Sequence, residues 1–491
     1  MKLQKLLEGI PLSSSPALSG DREITSLAVD SRQVTPGALF VGRQGTKQNG
    51  AGFIADALQR GAAAVVSAVD FASASDYPQA CFIRVADPER ALKIFATRFY
   101  GDPSAEMPVI GVTGTNGKTT FTYLLEAIYR AAGMTCGVIG TVNHRCADRI
   151  WPSGNTTPGL ADNQQLLREM RAAGAACCVM EVSSHALDQG RADLIRFSTA
   201  VFTNLTSDHL DYHHTREAYF SAKAKLFTSL PVTSRAVINL DDPYGSRLLS
   251  LTKADSLTYG FSEAAAVRPQ RLVLGCDRTE FTAVTPLGLW EMHSALIGRF
   301  NVYNILAAIT AAIAQGVDPE AIRRGVGNLS RVPGRLEPVQ GGQDFFVYTD
   351  YAHTQDALWN VLTTLRAIAR QRIILVFGCG GDRDKTKRPL MGEVAGSLAD
   401  FSIVTSDNSR GENTGDIIAQ ICGGFTRDNY RVIEDRREAI AAALGEAQKD
   451  DIVLIAGKGH ETYQIFQDRT IDFNEREIVQ ELLDVKNRRC C

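Results

Sequence analysis

No stretch of this sequence approaches the roughly 18 uninterrupted apolar residues that a membrane-spanning helix requires. The opening segment MKLQKLLEGIPLSSS breaks its apolar run with Lys5 and Glu8. The expectation is a soluble chain, neither exported nor membrane-bound. An excess of one charge is also missing. Lys and Arg total 52 against 55 Asp and Glu, a formal net charge of −3 at pH 7, so no overall basic field is available to hold a nucleic-acid backbone. The ten cysteines include no CxxC pair, and no His stands at zinc-finger spacing. Metal-finger scaffolds are thereby excluded, and reduced thiols in a cytoplasmic protein are expected. There is no low-complexity tract and no internal repeat.

What is present is length and rhythm. At about 100–200 residues per domain, 491 residues predict three domains. Residues 39–100 alternate short β-rich runs (ALFVG, AAAVVSA, CFIRVA) with helical patterns at 52–60 and 88–100, a small α/β unit. After the turn Gly101-Asp102-Pro103-Ser104, residues 107–112 read as a buried strand that feeds a Gly-rich turn and a helix over 119–132. Further strands are predicted at 137–140, 176–182, 199–203 and 236–239, the rhythm of a doubly wound parallel sheet with the 107–112 strand at its centre. A helical pattern over 301–325 ends before Arg331-Val332-Pro333-Gly334-Arg335, and a new alternation begins (FFVYTD, RIILVFG, FSIVTS, DIVLIAG). The prediction is an α/β chain of three domains. A small N-terminal α/β domain spans 1–106, a central doubly wound P-loop domain 107–334, and a Rossmann-like domain 335–491.

The strongest local signal is VIGVTGTNGKTT at 109–120. An apolar strand, a glycine turn and a helix start come in the order that phosphate cradling demands. Gly114 and Gly117 allow backbone N–H groups to turn inward, Lys118 supplies a point charge, and Thr119 offers an oxygen to Mg²⁺. In the GxxxxGK[ST] pattern the first glycine falls on Val112, so the loop is a variant. Asp242-Pro243-Tyr244-Gly245 and Thr252-Lys253-Ala254-Asp255 superficially offer the two base- and phosphate-reading motifs of a switch GTPase. They lie almost adjacent, however, and are assigned to turns.

Two further polar clusters leave apolar runs at strand ends, where open α/β sheets bind ligands. Glu181-Val182-Ser183-Ser184-His185 is the first, and Thr203-Asn204-Leu205-Thr206-Ser207-Asp208-His209-Leu210-Asp211 the second. Glu181 and His209 share the sheet with the phosphate loop and become candidate metal ligands. A helical stretch at 217–226 carries Lys223 and Lys225, by themselves a solvated face. His144, His185, His213 and His214 are assigned no role.

Taken in order, the segments GVTGTNGKTT, NTTP, MEVSSHALDQGR, FTNLTSDHLDYH, GRFNVYN, PGRLE, DYAHTQDAL, FGCGGDRDKTKRP, SDNSR and AGKGHETYQ resemble the Mur ligase family over nearly the whole chain. The resemblance implies an ATP- and Mg²⁺-dependent amide synthesis in peptidoglycan precursor assembly. The D-glutamyl side-chain carboxylate of UDP-N-acetylmuramoyl-L-alanyl-D-glutamate is phosphorylated, and an amine attacks the acyl phosphate. The late motifs GGDRDK, DNSR and AGKGHE favour the branch that adds meso-diaminopimelate, with L-lysine as the alternative amine. It also implies a monomer with neither nucleic acid nor membrane as partner, whose central and C-terminal domains draw together on ATP.

Residue by residue, the resemblance assigns Gly114, Thr115, Asn116, Gly117, Lys118, Thr119 and Thr120 to ATP, with Asn301 near the adenine, Arg335 near the phosphates and Asp350 near the ribose. Phe300 stands where many relatives have His. Thr119, Glu181 and His209 hold Mg²⁺, and Lys118, Glu181, His209 and Lys223 form the catalytic set. Lys223 matches a carbamoylated lysine (N6-carboxylysine), with Lys225 as the neighbouring alternative. Val29, Ser31, Thr46, Lys47 and Gln48 match positions at the uridine end, and Asn155, Thr156, Thr157, Ser183, Gln189 and Arg191 the muramoyl dipeptide. Arg383, Asp407, Asn408, Ser409, Arg410, Gly457 and Glu461 match positions that meet the incoming amino acid, Arg410 as reader of its distal carboxylate. Ser409 and Gln355 replace prolines of relatives. Two rival readings remain: a folylpolyglutamate synthase-like ligase, against which the NTTP and late motifs speak, and a nucleotide-dependent binding protein without turnover.

Overall fold

The computed structural model describes residues 1–13, 22–44, 49–71, 74–206 and 208–490, with side chains through Lys486. Among the described residues no helix is long and apolar enough to cross a membrane.

The first sheet is four-stranded and parallel, in the order β1 (Leu27–Ala28), β2 (Leu39–Gly42), β3 (Ala64–Ser67), β4 (Cys81–Arg84). Strand alternation splits its buried residues between two faces: Leu39 and Val41 join one core cluster and Phe40 the other. The helix Pro88–Tyr100 covers the first face. Asp87 caps it by accepting from Arg90 N, and Pro88 sits at its first turn, where a missing N–H does no harm. Leu92 and Phe95 of that helix share their core with Leu160 and Ala161 of the helix Leu160–Ala172, which seats the N-terminal unit on the next one. The expected helix over 52–60 begins at Ile54, after a 3₁₀ turn at Gly50–Phe53.

The second sheet carries the P-loop. Its strands are β5 (Val109–Thr113), β6 (Cys136–Ile139), β7 (Asn143–Cys146), β8 (Arg149–Pro152), β9 (Cys177–Glu181), β10 (Phe197–Phe202), β11 (Arg235–Asn239) and β12 (Asp255–Tyr259), in the order β12-β11-β10-β5-β9-β6-β7-β8. Six are mutually parallel, with β5 central as predicted. The β7–β8 hairpin is antiparallel and was not anticipated. Its strands, NHRC and RIWP, are too short and polar to carry an apolar signature. Alternate residues of β5 and β9 point to opposite faces: Ile110, Val112, Cys177 and Val179 to one core, Val109, Cys178 and Met180 to the other. Helices cover both faces, Lys118–Ala131 with Arg299–Ala314 and Pro319–Asn328 on the first, Leu160–Ala172 with Arg216–Thr228 on the second. The predicted 301–325 helix is therefore two helices, broken after Ala314. The Asp242 segment also departs from expectation: Asp242 caps the helix Pro243–Leu251 and accepts from Leu205 N at 2.8 Å.

A small antiparallel sheet, absent from the sequence prediction, follows: β13 (Arg268–Leu274), β14 (Thr279–Thr285) and β15 (Gly288–Ser294). The last large sheet contains β16 (Glu337–Pro338), β17 (Phe346–Asp350), β18 (Ile373–Phe377), β19 (Phe401–Val404), β20 (Tyr430–Val432) and β21 (Ile452–Ala456), ordered β16-β17-β21-β18-β19-β20 and parallel except at β16. A two-stranded ribbon, β22 (Tyr463–Ile465) with β23 (Thr470–Asp472), closes the set. Cys276 and Ile297 bury themselves in the core of the last sheet, and Tyr348 donates its hydroxyl to Cys276 O. The third unit is thus docked on the second through apolar contacts as well as polar ones.

The P-loop helix has one close approach that tolerates no side chain. A Cβ on Gly325 would lie 2.7 Å from Ile128 N and 2.9 Å from Ala127 O, against backbone that cannot yield. Gly325→Ala must separate the helices Lys118–Ala131 and Pro319–Asn328, and overpacking of this kind costs about 1–3 kcal/mol. Urea denaturation should show that loss as a lower midpoint, and an unchanged midpoint would mean the two helices are free to part.

Candidate active site

Register brings the site together. Val112 pairs with Glu181 and Thr113 with Phe202, so the residues leaving β5, β9 and β10 emerge side by side on one edge of the sheet. From β5 the chain turns through Gly114 and Gly117, both at positive φ. A Cβ on Gly114 would overlap Thr203 Oγ1, and one on Gly117 would overlap Asn304 Oδ1. The loop is clamped from β10's exit: Thr203 Oγ1 donates to Asn116 O at 2.6 Å, Asn204 O accepts from Thr115 N at 2.9 Å, and Asn204 Oδ1 accepts from Asn116 N at 3.0 Å. Thr119 and Thr120 lie buried in the first turn of the following helix, whose N-terminus favours an anion.

Two lysines converge on this loop. Lys118 Nζ donates to Gly114 O and Thr115 O, both at 2.8 Å, and Lys223 Nζ donates to the same Gly114 O at 2.8 Å. Lys223 is 1 % exposed and lies 4.5 Å from the centre of the Tyr219 ring. Burial pushes the pKa of both ammonium groups down, and the like charge of Lys118 pushes Lys223 further, well below its usual value. Lys225 instead reaches the surface and pairs with Asp188 at 2.9 Å, which removes it as the alternative to Lys223.

Beside the loop, Glu181 is 1 % exposed. Its carboxylate accepts from Thr119 Oγ1 at 3.1 and 3.2 Å, from Thr141 N at 2.9 Å and from Thr141 Oγ1 at 3.0 Å. Thr119 and Glu181 therefore present converging hard oxygens beside the anion-binding helix start, a donor set suited to Mg²⁺. His209 is held elsewhere in the same region. It caps the short helix Leu210–His213 in a left-handed conformation and stacks edge-on against His185 with centroids 4.7 Å apart. Desolvation by its surroundings lowers its pKa although the side chain reaches solvent, which favours the neutral form that a metal ligand needs. His213, expected to be idle, meets Ser184 Oγ at 2.9 Å and His185 at 5.4 Å, while Tyr219 OH ties this ring cluster to Thr115 Oγ1 at 3.2 Å.

The chain of hydroxyls continues away from the loop. Thr141 Oγ1 meets Thr156 Oγ1 at 3.0 Å, Thr157 Oγ1 donates to Glu181 O at 2.8 Å and accepts from Ser183 N at 3.0 Å, and Arg191 donates to Thr157 O. Gln189 reaches Tyr212 OH at 3.4 Å, and Asn155 is exposed next to this row. Val29 and the buried Ser31 lie in the first unit, Ser31 opening a 3₁₀ turn capped by Asp30. Thr46, Lys47 and Gln48 lie outside the described residues.

From the third unit, Arg335 brings a guanidinium nitrogen to 3.5 Å from Thr119 Oγ1. Asp350 accepts from Leu336 N at 2.7 Å and Ala352 N at 2.8 Å, and burial raises its pKa. Asn301 spends its amide on Ile297 O and Asn304. Asn304, not singled out from the sequence, is the side chain against Gly117. Phe300 packs on the core of the third unit.

A cleft of about 790 Å³ opens between the two units. His209 and its neighbours form one wall, and Arg383, Asp407, Asn408, Arg410, Gly457 and Glu461 the other. Ser409 is 2 % exposed and is not among the residues lining the cleft, its carbonyl turned to Glu412 N. Asn408 Nδ2 donates to Glu461 at 2.9 Å, and Lys458, fully buried and unforeseen, donates to Asn408 Oδ1 at 3.0 Å and Glu461 at 3.2 Å. Desolvation works to raise the Asp407 pKa, but Arg436 and Lys458 outweigh it and hold the carboxylate below its usual range. Gln355 occupies the first helical position after the cap Thr354, a place where proline is tolerated but not required.

The chain matches the Mur ligase family in three stretches. Residues 23–100 match the Mur ligase family catalytic domain, 112–312 the Mur ligase middle domain, and 334–459 the Mur ligase glutamate ligase domain. It is 47% identical over 481 residues to the UDP-N-acetylmuramoyl-L-alanyl-D-glutamate–2,6-diaminopimelate ligase of Geobacter metallireducens, covering 93% of each chain. A solved structure of a ligase with that same name is 33% identical and superposes with a TM-score of 0.69 over 99% of both chains. The fold also matches a Thermotoga maritima MurF ligase solved with ADP, at 18% identity and TM-score 0.66, over 95% of this chain and 98% of that one.

Among the described residues no carboxylate contacts the Lys223 ammonium, and the charge of Asp208 offsets its burial only in part, so the lysine's stability contribution has a definite sign. A buried lysine with a lowered pKa binds fewer protons folded than unfolded. Folding stability therefore rises with pH from the folded pKa up to the unfolded value near 10.5. Lys223→Met should be more stable than the parent at pH 7, on the order of 1–3 kcal/mol, with the gap narrowing as pH rises. Thermal melts at pH 7 and 9 measure it, and a variant less stable at both would show the amine to be net stabilising.

Proposed function

Because the chain belongs to the Mur ligase family, we propose that it joins diaminopimelate to UDP-N-acetylmuramoyl-L-alanyl-D-glutamate, an ATP-dependent amide synthesis in peptidoglycan precursor assembly. The observation that carries this reading is the single row of groups from the phosphate loop through Thr119, Glu181, Thr141 and Thr156, beside a cleft walled by Arg383, Asp407, Arg410 and Glu461. One end handles a terminal phosphate, the other an amino acid bearing both charges.

On this reading residues 107–334 bind ATP, 1–106 the uridine end through Val29, Ser31 and the 46–48 segment, and 335–491 the amino acid. The nucleotide phosphates displace Lys118 from the Gly114 and Thr115 carbonyls, trading neutral acceptors for anionic ones. Arg335, already beside Thr119, adds a second positive charge to the transferring phosphate. Thr119, Glu181 and His209 are the residues that would hold Mg²⁺, which supplies neutralisation of phosphate charge. Asn155, Thr156, Thr157, Ser183, Gln189 and Arg191 position the dipeptide so that its side-chain carboxylate meets the phosphate in line. Lys223, buried and depressed in pKa, has the free amine that carbamoylation consumes. The product is an anion where an ammonium would oppose a cation site. ATP and a UDP-linked substrate are cytoplasmic solutes, which places the proposed reaction in the cytoplasm.

The decisive assay is phosphate release from ATP with UDP-N-acetylmuramoyl-L-alanyl-D-glutamate and meso-diaminopimelate, L-lysine or no amine. Release with diaminopimelate alone is expected, release with lysine alone overturns the assigned amine, and no amine-dependent release overturns the ligase. Lys118→Ala should abolish acyl-phosphate formation in a folded protein. Lys223→Ala should lose on the order of 10²–10³-fold, the scale of one preorganised charged group, whereas Lys225→Ala removes only a surface pair worth about 0–1 kcal/mol and should stay near parental turnover.

A further inference from the structure

The amine that attacks an acyl phosphate arrives as an ammonium ion and must lose a proton first. The proposed function leaves that proton without a destination. We propose that His353 is the proton acceptor for the attacking amine, through Nε2 facing the cleft. The proposal rests on the ligase reading and adds a catalytic residue to it.

His353 lies three residues beyond β17, on the loop that leaves Asp350. Its Nδ1 is 2.8 Å from Tyr351 O. A carbonyl oxygen only accepts, so Nδ1 carries the hydrogen, and the neutral ring has its lone pair on Nε2. The ring is steadied by Tyr351, with centroids 4.6 Å apart, and Tyr351 in turn leans on His460 at 5.0 Å. Lys387 donates to the backbone carbonyl of His353 at 2.7 Å, fixing the loop. The residue lines the same cleft as Asp407, Arg410 and Glu461.

Several other titratable groups on the cleft are committed. Asp407 is kept ionised by Arg436 and Lys458, Glu461 is bound to Asn408 and Lys458, and Asp384 accepts from Thr386 N and Oγ1. His209 rests on His185 beside Asp208. His353 offers the cleft a ring nitrogen, Nε2, that has no hydrogen-bond partner among the described residues. The side chain reaches solvent at the cleft, yet the surrounding chain desolvates the ring and lowers its pKa; the Tyr351 carbonyl opposes that, Lys387 and Arg335 lower it further, and Asp407 raises it. A histidine held neutral near pH 7 is poised to receive a proton.

The step balances as follows. The ammonium gives one proton to Nε2, leaving histidine protonated and the amine free. The nitrogen lone pair forms the C–N bond, the C–O bond to phosphate breaks with its electron pair leaving on phosphate, and the second nitrogen proton goes to the departing phosphate. Products are the amide, hydrogen phosphate and protonated His353.

The test separates proton removal from everything earlier. His353→Gln should form acyl phosphate at the parental rate yet transfer diaminopimelate about 10²-fold more slowly, the usual contribution of general-base catalysis. Its transfer rate should climb with pH where the parent levels off. Hydroxylamine, whose nitrogen is already unprotonated at neutral pH, should intercept the acyl phosphate equally fast in variant and parent. Equal losses with both nucleophiles, or loss of acyl-phosphate formation, would make His353 structural and overturn the proposal; so would undiminished transfer. The substrate reading stands or falls on the parental protein's own choice of amine, so the two failures are distinguishable.

Discussion

Two lysine side chains, Lys118 and Lys223, share one carbonyl oxygen, that of Gly114, and most of the central unit can be understood as the means of holding them there. Among the described residues neither ammonium touches a carboxylate, burial lowers the pKa of both, and the charge of Lys118 raises the cost of charging Lys223. Such a pair is tolerable only if an anion is to arrive or if one amine is to become anionic. Both glycines of the loop follow from the same crowding, since Thr203 and Asn304 fill the space their side chains would need. Tyr219 closes the far side, its ring under Lys223 and its hydroxyl on Thr115.

The sheet supplies the positions and the third unit completes them. Parallel pairing of β5 with β9 and β10 places Gly114, Val182 and Thr203 at one edge without any long loop, so the precise part of the site is built on strands. The cleft for the amine is different in kind. Its walls come from separate units joined by the Arg335–Thr119 contact and the apolar docking of Cys276 and Ile297. Its width therefore depends on how those units sit, and catalysis can be gated by that seating without moving the phosphate loop.

Legibility from sequence follows the same division. Long buried strands announced themselves: β5, β9, β18 and β21 are apolar on both faces, and the three-unit α/β organisation was readable from them. The β7–β8 hairpin and the β13–β15 sheet were not, because RIWP and RPQRLVL carry only exposed and half-buried residues and so no apolar run or clean alternation. In the site, residues at strand exits were readable because the chemistry needs them adjacent to a glycine turn. Thr141, Asn304 and Lys458 were missed for a physical reason. Each acts through a partner distant in sequence (Glu181, the Gly117 turn and Asn408), and a lone Thr, Asn or Lys has no local signature of such a contact. The burial of Ser409 was not legible either, since an exposed-looking motif DNSR folds with its serine inward.

That inward turn bears on which amine the cleft accepts. Arg410 adopts a left-handed backbone conformation, φ 50°, unusual for a side-chain-bearing residue, and its guanidinium donates to Gly381 O at 2.9 Å. A neutral carbonyl is a weaker partner than a carboxylate, so an amino acid with a distal carboxylate can draw Arg410 into the cleft and gain a charge-assisted bond. L-lysine brings an ammonium to the same place. It would meet Arg410 and Arg383 as like charges and leave them only the backbone carbonyls of Gly381 and Asp382 as acceptors. Discrimination then rests on repulsion of the wrong amine as much as on attraction of the right one. Asp407 and Glu461, held ionised or paired on the same wall, remain to receive the positive end common to both.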